Sequence, residues 1–170
     1  MMIADAELLV TRQGVRLHVR RARDEDEAAL AAFFAHVSPE DLRFRFLTGV
    51  RAVSHERLAS MIHANDATSL SLIAFAGDGA IVATAMLAGD DRATTAEAAI
   101  AIRRDLKERG IGWTLLEHLV GHARRMGYRS IEAVEDRANR PAILIERELG
   151  FELHPVEGEP TLVRLSLPLV

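Results

Sequence analysis

Residues 95–113 read T-A-E-A-A-I-A-I-R-R-D-L-K-E-R-G-I-G-W, and this stretch decides the fold of the chain. Its first part, Ala96 to Ile102, is an apolar strand. A basic turn follows from Arg103 to Arg109, and a helix opens near Gly110 and continues through L-L-E-H-L-V. A strand that turns into a helix N-terminus aims unpaired backbone N–H groups at one point, and such a point attracts anions. Gly110 and Gly112 have no Cβ, so a ligand can approach the chain closely there. Arg103, Arg104, Lys107 and Arg109 add positive charge. The stretch is a candidate diphosphate cradle. It is not a mononucleotide P-loop, which needs G-x-x-x-x-G-K-S/T, because Trp113 and Thr114 follow Gly112. It is not the dinucleotide fingerprint G-x-G-x-x-G either, because Leu115 holds the last position.

Outward from the cradle, the 170 residues fit one domain, with residues 1–14 as an N-terminal extension. There is no cysteine, which excludes disulfides, thiolate metal sites and a cysteine nucleophile. A net charge of −4 argues against nucleic acid as a partner. The start, M-M-I-A-D-A-E-L-L-V, lacks the basic region of a signal peptide, and no apolar run is long enough to span a bilayer. The expectation is a cytoplasmic protein with no membrane partner. Lys107 is the only lysine; the other twenty basic residues are arginine.

Upstream, Val15 to Arg21 alternates apolar and polar residues, as a half-buried strand does. Asp24 with Glu27 reads as a capping box for a helix over 25–37. Ser38-Pro39 starts a second helix containing L-R-F-R-F-L, and Ser54 caps a third that runs to Ile62. From Ser69 the period changes. Strands over 69–76 and 80–87 flank the hairpin turn Gly77-Asp78-Gly79, and strand 95–102 follows. The helix over 110–126 ends at Gly127. Ser130 to Val134 returns to the sheet over that helix, and such a crossover makes it parallel to strand 95–102. A helix over 139–149 closes at Gly150. Strands over 151–154 and 162–167 complete the chain.

These residues carry a family resemblance. K-E-R-G-I-G (107–112) is similar to the Q/R-x-x-G-x-G/A loop of the GNAT superfamily of acyl-CoA-dependent N-acyltransferases. N-R-P-A-I-L-I-E-R-E-L-G-F (139–151) resembles the family's Asn-x-x-Ala segment ending in Leu-Gly-Phe. Within the family, V-R-R-A-R-D-E-D-E (19–27), F-F-A-H-V-S-P-E-D-L-R-F-R-F (33–46) and A-E-A-A-I-A-I (96–102) resemble the GNAT domain of bacterial protein lysine acetyltransferases linked to acyl-CoA synthetase.

The resemblance implies an α+β fold of α/β/α layers. Its mixed central sheet has six to seven strands, splayed between the fourth and fifth, with helices on both faces. It implies acetyl-CoA as cosubstrate, no metal, and an amine acceptor, either a protein lysine or a small amine. A non-catalytic acyl-CoA-binding or sensing domain is the alternative from another class. Whether the protein is a monomer or a homodimer stays open.

By position, the resemblance gives the pantetheine arm backbone partners at Ile100 and Ile102. It gives the diphosphate the amides of Lys107, Glu108, Arg109, Gly110, Ile111, Gly112 and Trp113, and it gives the pantetheine or acyl end Asn139. Glu97 matches the glutamate of A-E-F-A-type strands and shares a strand face with Ala99 and Ala101, whose small side chains leave room for a thioester. It is the candidate general base, since a lysine-type amine, with a pKa of about 10.4, must lose a proton before it attacks.

Three further expectations concern residues near this site. Many members of the family have a tyrosine as general acid four residues before the Gly of Leu-Gly-Phe. Here Glu146 stands there, read as an exposed helix glutamate with a role as the acid left open, and the single tyrosine, Tyr128, reads as structural. His118 and His122 have metal-ligand spacing but no evident third ligand, and read as boundary histidines. In L-R-F-R-F-L, Leu42, Phe44, Phe46 and Leu47 read as core or acceptor-groove wall, with Arg43 and Arg45 solvated or one of them in the groove.

Overall fold

A computed structural model describes residues 5–47 and 52–170; residues 1–4, part of the expected N-terminal extension, lie outside the described residues. Eight strands form one sheet in the order β1-β2-β3-β4-β5-β6-β8-β7. They are β1 Glu7–Val10, β2 Arg16–Arg21, β3 Ser69–Phe75, β4 Ile81–Gly89, β5 Thr95–Ile102, β6 Ser130–Asp136, β7 Glu152–Val156 and β8 Glu159–Pro168. The helices are α1 Glu27–Ala35, α2 Pro39–Phe46, α3 His55–Ile62, α4 Ile111–Arg125 and α5 Arg140–Glu148. No helix among the described residues is long and apolar enough to cross a membrane.

The sheet has one strand more than the upper expectation, and the extra strand is β1, inside the stretch read as an extension. It pairs antiparallel with β2, Leu9 opposite Leu17. Its short E-L-L-V run lacks alternation: three of its four residues are exposed, so no inward face marked it in the sequence.

Helices cover both faces. On one face α4 lays Leu115, Leu119 and Ala123 against Leu70, Val82, Leu87, Ala96 and Ile131, with Ile145 and Leu149 of α5 beside them. On the other, Leu30, Phe33 and Phe34 of α1, Leu42 of α2, and Leu58 and Ile62 of α3 pack on Ile73, Phe75, Ile81 and Ala101. Each fully buried leucine or phenylalanine contributes about 1.5–3 kcal/mol of transfer free energy. These faces are the inward residues of strands with period 2 and of helices with period 3.6.

The serine caps form as the sequence indicates. Ser38 Oγ accepts from Asp41 N–H at 3.1 Å, and Ser54 Oγ accepts from Arg57 N–H at 3.2 Å. The capping box at Asp24 and Glu27 does not form. A 3₁₀ turn spans Asp24–Asp26 and α1 starts at Glu27. Buried Asp26 takes the organising part instead, accepting from Arg23 N–H at 2.7 Å and from both terminal nitrogens of Arg20 at 2.8 Å. Asp24 and Glu27 face His63 and His55 at the surface.

The feature that positions the site is the join between β5 and β6. These strands are parallel and pair only at Thr95–Ser130, Ala96–Ile131 and Glu97–Glu132. Past Glu97, β6 keeps its full antiparallel ladder with β8, from Ser130–Pro168 to Asp136–Leu162. β5 keeps its ladder with β4 out to Ile102. Each strand therefore follows its outer neighbour, and the sheet forks.

Candidate functional site

The fork has two walls, a floor and a mouth. One wall is the β6-facing edge of β5 from Ala98 to Ile102. Arg103 N–H bonds to Val82 O at 2.9 Å across β4. Strand alternation then turns the N–H and C=O groups of Ile100 and Ile102 the other way, towards the gap, beyond the last β6 pair at Glu97–Glu132. An extended ligand can satisfy that edge as an added strand would.

The mouth is the turn after β5. A 3₁₀ turn covers Arg104–Leu106, Glu108 has φ 64° and Gly110 has φ 79°. Both left-handed residues bend the chain into α4, and glycine takes this conformation without strain. Among the described residues no protein acceptor meets the N–H groups of residues 108–113, and Gly110 makes no side-chain cap. The positive end of the fifteen-residue helix α4 is thus open to an anion.

The cations there differ in availability. Arg103 is held by Asp105 at 2.7 and 3.2 Å, and Lys107 Nζ donates to Asp41 of α2 at 2.7 Å. Lys107 therefore ties α2 to the turn, while exposed Arg104 and Arg109 make no ion pair among the described residues. Trp113 lies under the Arg12 guanidinium, 4.2 Å from its ring centroid. Gly112 has a packing duty besides: a Cβ there meets Ile145 Cδ1 at 3.3 Å and Ile102 Cδ1 at 3.4 Å. That glycine lets α5 and β5 close on the start of α4.

At the crotch of the fork sits Glu97, the last residue of β5 paired to β6. Its side chain lies on the α1–α3 face, and Ala101 of the same face is part of that core. The carboxylate stays open to solvent but makes no hydrogen bond or ion pair among the described residues. Loss of solvation raises its pKa; neighbouring Glu132 raises it further, and Arg45 partly offsets this. Glu132 is itself shared with Arg164 of β8 at 3.8 Å.

Arg45 and Glu146 are placed otherwise than the sequence indicated. Arg45 is not solvated. It turns inward from α2, its Nη2 lies 3.2 Å from Met86 Sδ, and its Nε is sealed from water with no acceptor. Helical spacing carried the signal: Arg45 is three residues after buried Leu42, on the inward face. Glu146 is not exposed but 4% accessible. It lies four residues after Ala142 and three before Leu149, on the inner stripe of α5. Its carboxyl faces that of Glu135, which accepts from Asn139 Nδ2 at 3.1 Å, and its Oε2 is closed off from water with no hydrogen-bond partner among the described residues. Burial first, then the facing Glu135, raises the Glu146 pKa, so Glu146 keeps its proton at neutral pH. Burial likewise raises Glu135, against the hydrogen bonds from Glu146 and Asn139. Asn139, at the start of α5, spends its amide on Glu135 and not on the helix end. Sequence alone did not single out Glu132 or Glu135, because strand glutamates ordinarily face solvent.

Other marked residues fall outside the fork. Tyr128 is 3% accessible, and its hydroxyl donates to the Thr68 carbonyl. His118 and His122 approach to 3.2 Å between Nε2 atoms, with Glu7 beside His118 at 3.4 Å. Burial depresses both, and His118 adds to the depression of His122, to about 4. No group of three metal-ligating side chains occurs among the described residues.

With this geometry in view, comparison with known proteins gives a consistent result. Residues 23–151 match the acetyltransferase (GNAT) family. An acetyltransferase of Pseudomonas aeruginosa is 28% identical over 159 residues, spanning 91% of this chain and 86% of that one. The crystal structure of the GNAT domain of S. lividans PAT superposes with a TM-score of 0.88 at 25% identity, covering 99% of each chain. A phosphinothricin acetyltransferase from Sinorhizobium meliloti, solved in complex with acetyl-CoA, shares the fold with a TM-score of 0.73 at 20% identity. It covers 89% of this chain and 88% of that one.

Proposed function

The chain belongs to the acetyltransferase (GNAT) family, and on that premise we propose that it transfers an acetyl group from acetyl-CoA to a primary amine bound beside Glu97. The observation that carries this reading is the fork itself. An unpaired strand edge, a set of unsatisfied amides and an unpartnered carboxylate occur in one line along β5 and into α4.

Acetyl-CoA fits the groups present. The amides of 108–113 with Arg109 suit the diphosphate, and the outward groups of Ile100 and Ile102 suit the two amides of the pantetheine arm. The S. meliloti protein of the same fold binds acetyl-CoA. Lys107 contributes through its backbone and through holding α2, since its ammonium belongs to Asp41.

Glu97 takes a proton from the ammonium of the acceptor, directly or through a water. Its raised pKa brings it nearer the working range of a general base. The freed nitrogen pair forms a bond to the acyl carbon, and the C–S bond breaks as the intermediate collapses. Backbone N–H groups on the open edge of β5 are suited to the charge that develops on the carbonyl oxygen. Glu146 stands where the resembling family has its tyrosine. It is enclosed, and its one proton faces Glu135, so it is not placed to donate to the departing sulfur. A thiolate, with a thiol pKa of about 8.5, leaves without a protein acid. Asn139 holds the carboxyl pair in position.

The test is turnover of acetyl-CoA with a panel of amines, comparing wild type with Glu97→Gln. Loss of a general base lowers kcat by a factor of about 10²–10⁴, while acetyl-CoA affinity stays the same. Equal rates in the two proteins remove Glu97 as base. Tight acetyl-CoA binding with no transfer to any amine turns the assignment towards a sensing domain.

A further inference from the structure

On the same face of β5 as Glu97, two arginines lie against one aromatic ring; Glu97 and Glu135 act on Arg45 from a distance, and neither arginine is in an ion pair among the described residues. Arg45 of α2 and Arg57 of α3 place their guanidinium carbons 4.9 and 4.6 Å from the centroid of Phe46. Neither makes an ion pair among the described residues, and the remaining residues, Met1–Ala4 and Thr48–Arg51, contain no acid. Arg45 Nε and Arg57 Nη1 are both closed off from water with no hydrogen-bond acceptor. The remainder of each side chain is half-buried. Elsewhere in the chain buried arginine is neutralised: Arg20 is held by both oxygens of Asp26 at 2.8 Å.

Two like charges share one ring here, with orphaned donors, and that arrangement costs free energy unless an anion meets it. A guanidinium offers a fork of donors matched to a carboxylate. Contact with the Phe46 ring restrains both guanidinium groups and lowers what is lost in ordering them. Arg45 lies over the working face of β5. Its Nη2 touches Met86, and Met86 is the strand partner of Ala99, two residues from Glu97.

We infer that Arg45 and Arg57 form the carboxylate-binding half of the acceptor site, so that the acceptor is a small amine bearing a carboxylate, of the amino-acid class. This rests on the acetyl-transfer reading above. Glu97 then serves the ammonium end of the acceptor and the arginines its acid end, and the two sites of opposite charge fix which way the molecule lies.

The experiment compares amino acids with their carboxamides as acceptors, in wild type, Arg45→Met and Arg57→Met. Binding of acetyl-CoA is followed by calorimetry in all three. The carboxamide keeps the shape of the acid and removes only its charge. Wild type is expected to favour the acids by a factor on the order of 100 in kcat/KM, the value of a charge-assisted hydrogen-bonded pair. Each methionine variant is expected to cut that ratio about tenfold or more, and Arg45→Lys to restore part of it. Carboxamides turned over as fast as acids by wild type overturn this inference and leave the acetyl-transfer reading intact. The same holds if the ratio is unchanged in both methionine variants, or if turnover is confined to lysines of proteins. Absence of acetyl-CoA binding in wild type overturns both.

Discussion

Glu97 and Glu146 show how one residue type acquires two protonation states within one site. Glu97 sits at the open crotch and ionises, its pKa raised by partial loss of solvent and by Glu132. The acid limb of the kcat/KM profile is therefore expected above the ordinary carboxylate range, and absent in Glu97→Gln. Glu146 is enclosed and stays neutral. Its folded pKa is raised above the unfolded value of about 4.3, so above that pH the unfolded chain releases a proton that the native state keeps. Native binds more protons than unfolded, and stability falls as pH rises, by up to about 1.4 kcal/mol per pH unit from this group. Glu146→Gln keeps a donor towards Glu135 and removes the titration. It should unfold at higher urea concentration than wild type at pH 8, with the difference shrinking towards pH 5. An identical pH slope in the two proteins would mean that Glu146 is ionised in the fold.

At the scale of elements, the turn from β5 into α4 depends on backbone conformation more than on side chains. Gly110 has φ 79°, a conformation that costs an L-residue roughly 1–2 kcal/mol. A Cβ there finds only ordinary contact with Thr11, at 3.5 Å, so crowding adds little. Gly110→Ala should lower stability by about 1–2 kcal/mol and weaken acetyl-CoA binding, read by denaturant unfolding and calorimetry on the same preparation. If binding is unchanged, the amides at the mouth do not hold the diphosphate. The strand edge has its own test. Arg103 points its N–H at β4, so Ala99 and Ala101 are protected from hydrogen exchange by that ladder, and Ile100 and Ile102 face the gap. Acetyl-CoA should slow exchange at Ile100 and Ile102 and leave Ala99 and Ala101 as they were. Uniform slowing along the strand would point to general tightening, not to pairing with a ligand.

For the molecule as a whole, the fork follows from divided loyalties of two strands. β5 has a seven-residue register with β4, β6 a seven-residue register with β8, and the two share only three positions. A ligand that fills the gap substitutes for the missing ladder and should stabilise the native state by mass action. At 100 times its dissociation constant the gain is about 2.7 kcal/mol. The helices on the two faces meet at this gap from opposite sides. α2 brings Arg45 and Asp41, and α5 brings Glu146 and Asn139. Arg45 of α2 lowers the pKa of both Glu97 on β5 and Glu135 on β6, so one cation acts on carboxylates from either side of the gap.

What the sequence determined by itself was the part governed by local physics. Period and punctuation gave the strands from Arg16 onward and all five helices, within a few residues at each end. The crossover through α4 gave the parallel pair, and the two glycines the turn that bends into α4. β1 escaped because its residues show no inward face, and the Asp24 cap failed because Asp26 was claimed by Arg20, a partner six residues away. What only the tertiary structure decided were the charges that converge from separate elements: Arg45 turned inward, Lys107 engaged by Asp41, and Glu146 enclosed against Glu135. The protonation and pairing of such groups depend on solvent and neighbours brought together by packing, and no local pattern along the chain encodes which distant side chain will be there.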